Sequence, residues 1–481
     1  MRRARGWAVL VLAAALPACS GGEPAARPAP PSASASPSPV RPPSPTPSPS
    51  PAVTPAVTSG RLPCPPAYAP PDPARPVLTA ELSVDGRAVV GTSRVVFTPD
   101  LPTGELVFRL WAAAPRPRAA GSRIDVTRVV VNGVTRTPRR PSPTLLRIPL
   151  AGRTPAGTAV TVELDWRLRL PVGANDRLGA RGSTAWFGSG LPLLAWVRGA
   201  GWATDPETAQ FAEAATSEVM ELRSLSVTRA PGLAVLATGE QVSDDGRTAV
   251  FRARAVRDVL VATGAFRTSR AAGPAGKEVL VGVSRGLRDD PAAVARELAR
   301  AMRVHSARFG VFPYERLVAA VVPDLRGGVE FPGAILLGDG QAIGDPTGSH
   351  EVAHEWWYGL VGANQARSPW LDEAFATYAE GLDRGTAAAY ARRPVPAHGR
   401  NRVGAPMSYW EGRSAYSRSV YTQGAAMLLA ARAAAGAAAF DDALRCHVRR
   451  NAHRVTVPAD VEVSLRHLPA AVEVLRRYGA L

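Results

Sequence analysis

Residues 350–373 read HEVAHEWWYGLVGANQARSPWLDE. Two histidines stand four positions apart, a glutamate follows the first of them, and the stretch closes on Glu373. If residues 348–361 form a helix, His350 and His354 lie one turn apart on one face. Two imidazoles so placed can hold one zinc ion. Glu351 is turned away from the ligand pair, so it can reach a water on the metal without binding the metal itself. A second helix is predicted with Ser368 as N-cap and Pro369 in the first turn. Glu373 then sits on its second turn and can supply a third ligand. Three protein ligands leave the fourth position open, the pattern of a catalytic rather than a structural site. Zinc lowers the pKa of such a water to about 7, and Glu351 is placed to take its proton. The bland alternative is two histidines packed on a helix face beside solvated carboxylates. The coincidence of four such positions in a chain with only seven histidines weighs against it.

The chain has 481 residues, enough for two or three domains with sizeable cores. Its formal net charge of +17 raises nucleic acid or an acidic surface as partners. Lys277 is the only lysine, however, and the arginines are scattered with no basic block. That pattern, with abundant alanine, glycine and proline, reflects composition and argues against nucleic-acid binding.

Arg2, Arg3 and Arg5 precede an apolar run from Trp7 to Leu16, too short to span a bilayer and suited to a signal peptide. The run ends Leu16-Pro17-Ala18-Cys19, which resembles the lipobox of bacterial lipoproteins, with Pro17 an uncommon residue there. The expectation is an exported protein held at the outer face of the cell membrane by a lipid on Cys19, or otherwise secreted. Residues 20–77 form a Pro/Ser-rich tether; 20 of the 46 prolines fall between Pro24 and Pro76, too many for a packed core. The two remaining cysteines, Cys64 and Cys446, can pair in an oxidising compartment, but their spacing leaves the pairing open.

Residues 78–272 alternate apolar and polar side chains in many short runs, with turn signals at Asp85-Gly86 and Asn132-Gly133, and are predicted to form an all-β domain. From 273 to 440 strands give way to helices, as in an α+β catalytic domain. Asp290-Pro291 starts a helix that Gly310 follows, and GGVEFPGAILL is predicted as one strand, kept to an edge by Pro332. A short helical C-terminal region covers 441–481.

The motif resembles that of the aminopeptidase N family of zinc metallopeptidases, gluzincins in which HExxH is followed after eighteen residues by a glutamate. Two further segments carry the likeness. Gly327-Gly328-Val329-Glu330-Phe331-Pro332-Gly333 is similar to the family's exopeptidase motif, and Val420-Tyr421-Thr422-Gln423-Gly424-Ala425 to the segment bearing its oxyanion-binding tyrosine. The resemblance runs from about residue 78 to 481. It implies an N-terminal β domain, a thermolysin-like peptidase domain and one zinc ion on His350, His354 and Glu373. It also implies Glu351 as general base, Tyr421 on the oxyanion, and Glu330 with Gly327 and Gly328 at the substrate amine. There are departures: Val329 stands for a methionine, Gln423 for a frequent lysine, and Leu360 for an acidic or amide residue. The chain stops soon after Tyr421, which implies a more open cleft than in longer relatives.

Other positions read more plainly. Trp356, Trp357 and Tyr358 are expected to pack, Glu355 to be solvated, and Glu380 either to orient a zinc histidine or to lie at the surface. Asp372 can support the site without a catalytic role. The reading is an extracytoplasmic zinc aminopeptidase acting on peptides, with the membrane reached only through its anchor and the oligomeric state open. The alternatives are an endopeptidase or other hydrolase on the same site, or a binding lipoprotein that has lost turnover.

Overall fold

The computed structural model describes residues 60–175, 177–208 and 217–481. The signal-like segment with Cys19, and the tether as far as residue 59, lie outside them. Among the described residues no helix is long and apolar enough to cross a membrane.

The chain enters as β structure because its side chains alternate. In Ala88–Phe97 every second residue is buried, and this strand forms a hairpin with Val77–Asp85 over Gly86, whose φ of 53° suits glycine. Asn132 and Gly133, at φ 48° and 79°, make the predicted tight turn at the end of Arg123–Val131. Eight strands form one sheet in the order Glu240–Asp244, Thr248–Val256, Met220–Thr228, Val77–Asp85, Ala88–Phe97, Val160–Arg169, Arg123–Val131, Val134–Thr135. Only the pairing of Val77–Asp85 with Met220–Thr228 is parallel. Trp166 crosses Gly91 so closely that a Cβ there would lie 2.3 Å from its ring.

A smaller sheet, Leu178–Arg181, Thr184–Gly188, Leu260–Gly264 and Ala234–Ala237, faces the rest of the molecule. Its Trp186, Leu236, Leu260 and Ala262 share one apolar cluster with Leu280, Val318, Val329, Phe331 and Leu336 of the following domain. That second domain is built on a five-stranded sheet in the order Phe266–Ala272, Glu278–Ser284, Arg316–Val321, Ala334–Leu337, Gly328–Phe331. The β domain therefore ends before Phe266, not at 272: Phe266–Ala272 pairs along its whole length with Glu278–Ser284. The predicted single strand GGVEFPGAILL is a hairpin. Pro332 lacks an N–H and Gly333 has a φ of 70°, so the chain reverses there and Gly328–Phe331 becomes the open edge.

The helix Pro291–Phe309 is capped by Asp290, whose carboxylate accepts from the Ala292 and Ala293 N–H groups. It buries Val294, Leu298 and Met302 against this sheet and the helices that follow. The C-terminal region is not separate. The helix Ala437–Asn451 runs across the expected boundary at 440, and Phe440, Leu444, Val461 and Leu475 belong to the same core as Val352 and Phe375.

The end of the expected tether is also packed. Cys64 is disulfide-bonded to Cys446. Ala69 N–H donates to the Arg449 carbonyl at 2.8 Å, and Arg449 reaches the Pro65 carbonyl at 3.2 Å. Tyr68 donates its hydroxyl to the Val311 carbonyl and accepts from Trp356 Nε1 at 3.1 Å. Prolines supply no N–H for regular structure, so the segment is held by the Ala69 backbone bond, side chains and the disulfide, which composition does not reveal. The bond joins residues 382 positions apart and so restricts the unfolded chain strongly. Cys446→Ser should lower unfolding free energy by about 2–4 kcal/mol and open residues 60–76 to protease. Denaturant titration and limited proteolysis check both.

Candidate metal centre

The helix bearing His350 spans Thr347–Ala353, shorter than the predicted 348–361. His354 is its C-cap and keeps helical angles, φ −61° and ψ −16°, so the two imidazoles remain on one face. Beyond it the N–H groups of Gly359, Leu360 and Val361 bond to carbonyls five residues back, and Tyr358 turns to φ 133°. The break lets three consecutive aromatics find different buried partners. Trp356 packs beside Phe312, Trp357 stacks on Phe375 at 4.0 Å, and Tyr358 reaches Asp258.

His350 Nε2 and His354 Nε2 lie 3.0 Å apart, and Glu373 Oε2 is 3.3 Å and 3.5 Å from them. Glu373 stands at the start of Trp370–Arg384, a turn earlier than predicted and with no side-chain cap from Ser368. Ligand atoms about 2.1 Å from a common tetrahedral centre are separated by about 3.4 Å, so these three fit one zinc ion. The other ring nitrogens are also held. His350 Nδ1 faces Glu380 Oε2 at 3.0 Å, and Tyr390 donates its hydroxyl to the same carboxylate. His354 Nδ1 faces Asp372 Oδ1 at 2.6 Å and the Trp357 carbonyl at 3.1 Å, and Gln365 binds Asp372 in turn. Such partners fix imidazole orientation and raise ligand basicity. Glu380 is 7% exposed and holds the His350 ring, so it does not lie at the surface.

Burial alone would depress the His350 imidazolium, but Glu373 and Glu380 outweigh it and hold the group up to about 10. His354 is raised well above its ordinary value by Asp372 and Glu373 against the same desolvation. Burial raises the Asp372 carboxyl to about 7, against the pull of His354. Burial also pushes Glu373 up, but the two histidines reverse this and leave it far below the carboxylate range.

Glu351 is buried, and desolvation lifts its carboxyl to about 8, partly offset by His350 and His354 and reinforced by Glu330 and Glu373. Its Oε2 meets no hydrogen-bond partner among the described residues. The side chain lies against Gly328, where a Cβ would come within 2.5 Å of Glu351 Cγ, so only glycine leaves it room. Gly327 supplies a φ of 87° just before. Glu330, on the edge strand, offers a carboxylate oxygen within 4.8 Å of ligand atoms of Glu351 and His354. Tyr421 sits in the π-helical turn Ser417–Thr422, stacks parallel to His350 at 6.0 Å, and donates its hydroxyl to Glu373 Oε1.

The structure thus brings His350, His354, Glu373, Glu351, Glu330 and Tyr421 together, with Gly327 and Gly328 on the adjoining strand. Glu355 differs from expectation: it is 1% exposed, not solvated. Its Oε2 accepts the Gly333 N–H at 2.8 Å, bracing the turn next to Glu330, and burial drives its carboxyl well above the usual range. Sequence reasoning also missed Arg177. It comes from the β domain, and its Nη2 lies 2.8 Å from Glu330 Oε1. No local pattern distinguishes it from the other arginines of the chain.

Compared with sequence profiles of known protein families, the chain matches none. Among solved structures it is similar to the M1 zinc metallopeptidase of Deinococcus radiodurans, with 19% identity, 85% of this chain and 95% of that chain covered, and a TM-score of 0.64. A glutamate-to-alanine variant of that protein aligns with 19% identity over 84% and 94% at a TM-score of 0.65. The same variant bound to a Tyr-Ser-Ala substrate aligns with 18% identity over 85% and 95%, also at 0.65. The chain has the fold of the M1 zinc metallopeptidases, the aminopeptidase N family, over most of its length.

Because His350 is protonated near neutrality in the metal-free protein, a metal that binds its Nε2 must displace that proton. Zinc uptake at pH 7 should release about one proton or more per ion, and affinity should rise with pH. Calorimetry in two buffers of different ionisation enthalpy measures the release.

Proposed function

We propose that this chain is an exported zinc aminopeptidase that removes N-terminal residues from peptides. The observation that carries the reading is the convergence of His350, His354 and Glu373 on one point, with the buried carboxylates of Glu351 and Glu330 on its rim. When bound there, zinc supplies Lewis-acid polarisation of the first peptide carbonyl and acidifies a water. Glu351 takes the proton of the attacking water on Oε2 and passes it to the leaving amine. The Tyr421 hydroxyl, now on Glu373, turns to the oxyanion that develops on the carbonyl. Glu330 holds the substrate ammonium by charge-assisted hydrogen bonds. The open edge of Gly328–Phe331 aligns an extended peptide beside it.

The proposed location is supported by Arg2, Arg3, Arg5 and the apolar run before Cys19, and the Cys64–Cys446 bond suits an oxidising compartment. The mass of the mature N-terminus tests the anchor: a lipidated Cys19 is expected, and an unmodified start beyond it would exclude one.

The activity is tested on one peptide, free and N-acetylated. The free form should be cleaved with much the higher kcat/KM, and equal values would point to an endopeptidase. Glu330→Ala should keep its zinc and lose about 30-fold to several thousand-fold on the free form, the loss of one buried charged contact. Glu351→Gln should keep zinc and turn over nothing, since an amide takes no proton.

A further inference from the structure

We propose that Arg177 is a positioning residue for the Glu330 carboxylate, so that recognition of the substrate amine is built by both domains. The inference rests on the amine-binding role of Glu330 proposed above.

Arg177 lies between the strands Gly173–Asn175 and Leu178–Arg181, far in sequence from the metal motif. One guanidinium grips the two ends of a single residue: Nη2 is 2.8 Å from Glu330 Oε1, and Nη1 is 3.2 Å from the Glu330 carbonyl. A rigid planar fork that spans side chain and main chain fixes the torsions between them, which a flexible ammonium does not. The guanidinium carbon lies 5.2 Å over the Phe331 ring, so the next residue on the edge strand is fixed by the same group. Phe331 in turn is seated on Gly188, where a Cβ would lie 1.9 Å from the ring, and the Gly188 N–H donates to the Arg177 carbonyl at 2.9 Å. The β domain thus holds the strand at two adjacent residues.

Charge decides whether this arrangement helps or hinders an ammonium. Arg177 alone would neutralise Glu330 and repel a second cation. Asp258, however, is buried nearby and feels the Arg177 charge. All its partners donate: Ser189 N–H at 3.1 Å, the Ser189 hydroxyl, Val259 N–H at 2.7 Å and the Tyr358 hydroxyl at 3.4 Å. Burial raises the Asp258 carboxyl, and the Arg177 charge and these donors oppose that rise. The guanidinium is thus shared between Glu330 and Asp258, which leaves Glu330 able to accept from a substrate ammonium.

The test compares two zinc-directed inhibitors by calorimetry on the zinc-loaded protein: leucine hydroxamate and its des-amino analogue, 4-methylpentanoyl hydroxamate. Their affinity ratio reports amine recognition without turnover. The parent should favour the amine. Arg177→Met should shrink the ratio by about tenfold to a hundredfold, the effect of a displaced binding group. Zinc content and affinity for the des-amino compound should stay near parent. Arg177→Lys, which keeps the charge but cannot span both oxygens, should fall between the two. With aminoacyl substrates the same loss should appear in KM rather than kcat. A ratio kept or enlarged in Arg177→Met would mean that Arg177 competes with the amine, and would overturn the inference. Equal weakening of both inhibitors, or lost zinc, would make Arg177 structural only and overturn it too. A parent that binds both alike would instead remove the amine-binding reading of Glu330, a failure visible before any variant is made.

Discussion

The structure around the metal motif is governed by the cost of placing charge in an apolar interior. Glu330, Glu351, His354, Asp372, Glu373 and Glu380 are each under 10% exposed, inside walls of tryptophan, phenylalanine and alanine. An isolated charge in such a place is unfavourable by several kcal/mol, so each group meets an opposite charge or a donor or, like Glu351, has its carboxyl pushed up by burial. The pairings follow. His354 lies between Asp372 and Glu373, His350 between Glu373 and Glu380, and Glu330 meets Arg177. A dication at the centre suits the same set, since it would take over the role that protons on two histidines play without it.

That constraint explains why the site lies where two domains meet. The hairpin Gly328–Leu337 has one face in an apolar layer shared with the small sheet of the β domain, and its turn is braced from the other side by Glu355. An edge strand left to itself is mobile and open to chance pairing. Here it is clamped by Arg177, Phe331 and Gly333 while its hydrogen-bonding edge stays open toward the metal residues. Glu351 can rest against it only because Gly328 has no side chain.

What was legible in the sequence was what short-range chemistry dictates. The placing of His350 and His354 on one face, the Asp290 cap and the turns at Gly86 and Asn132-Gly133 depend on a few adjacent residues, and they stand as read. The likeness to a known family pointed to Glu373, Tyr421 and Glu330, which the structure brings near the two histidines. Features that depend on distant partners were not legible. Glu355 reads as solvated because nothing local announces the Gly333 N–H that takes it into the core. The helix after His354 ends early because three aromatics need separate burial sites, a tertiary demand that overrides helical periodicity. Phe266–Ala272 reads as one more strand of the first domain, since alternation does not say which sheet a strand joins. Arg177 is hidden among many arginines, and only its neighbour gives it meaning.

The bond between Cys64 and Cys446 has a mechanical consequence. Tension applied to the chain before residue 64 does not reach the first strand at Val77. It passes through the sulfurs into the helix Ala437–Asn451, which is packed in the same core as Val352 and Phe375. Residues 65–76, already packed against the molecule, are shielded from the load, and the β domain is bypassed. A pull from that end would have to drag a helix out of the largest core in the molecule before it could peel the eight-stranded sheet. With the bond reduced, the same force would fall on Val77–Asp85, which is held inside that sheet by Met220–Thr228 on one side and Ala88–Phe97 on the other.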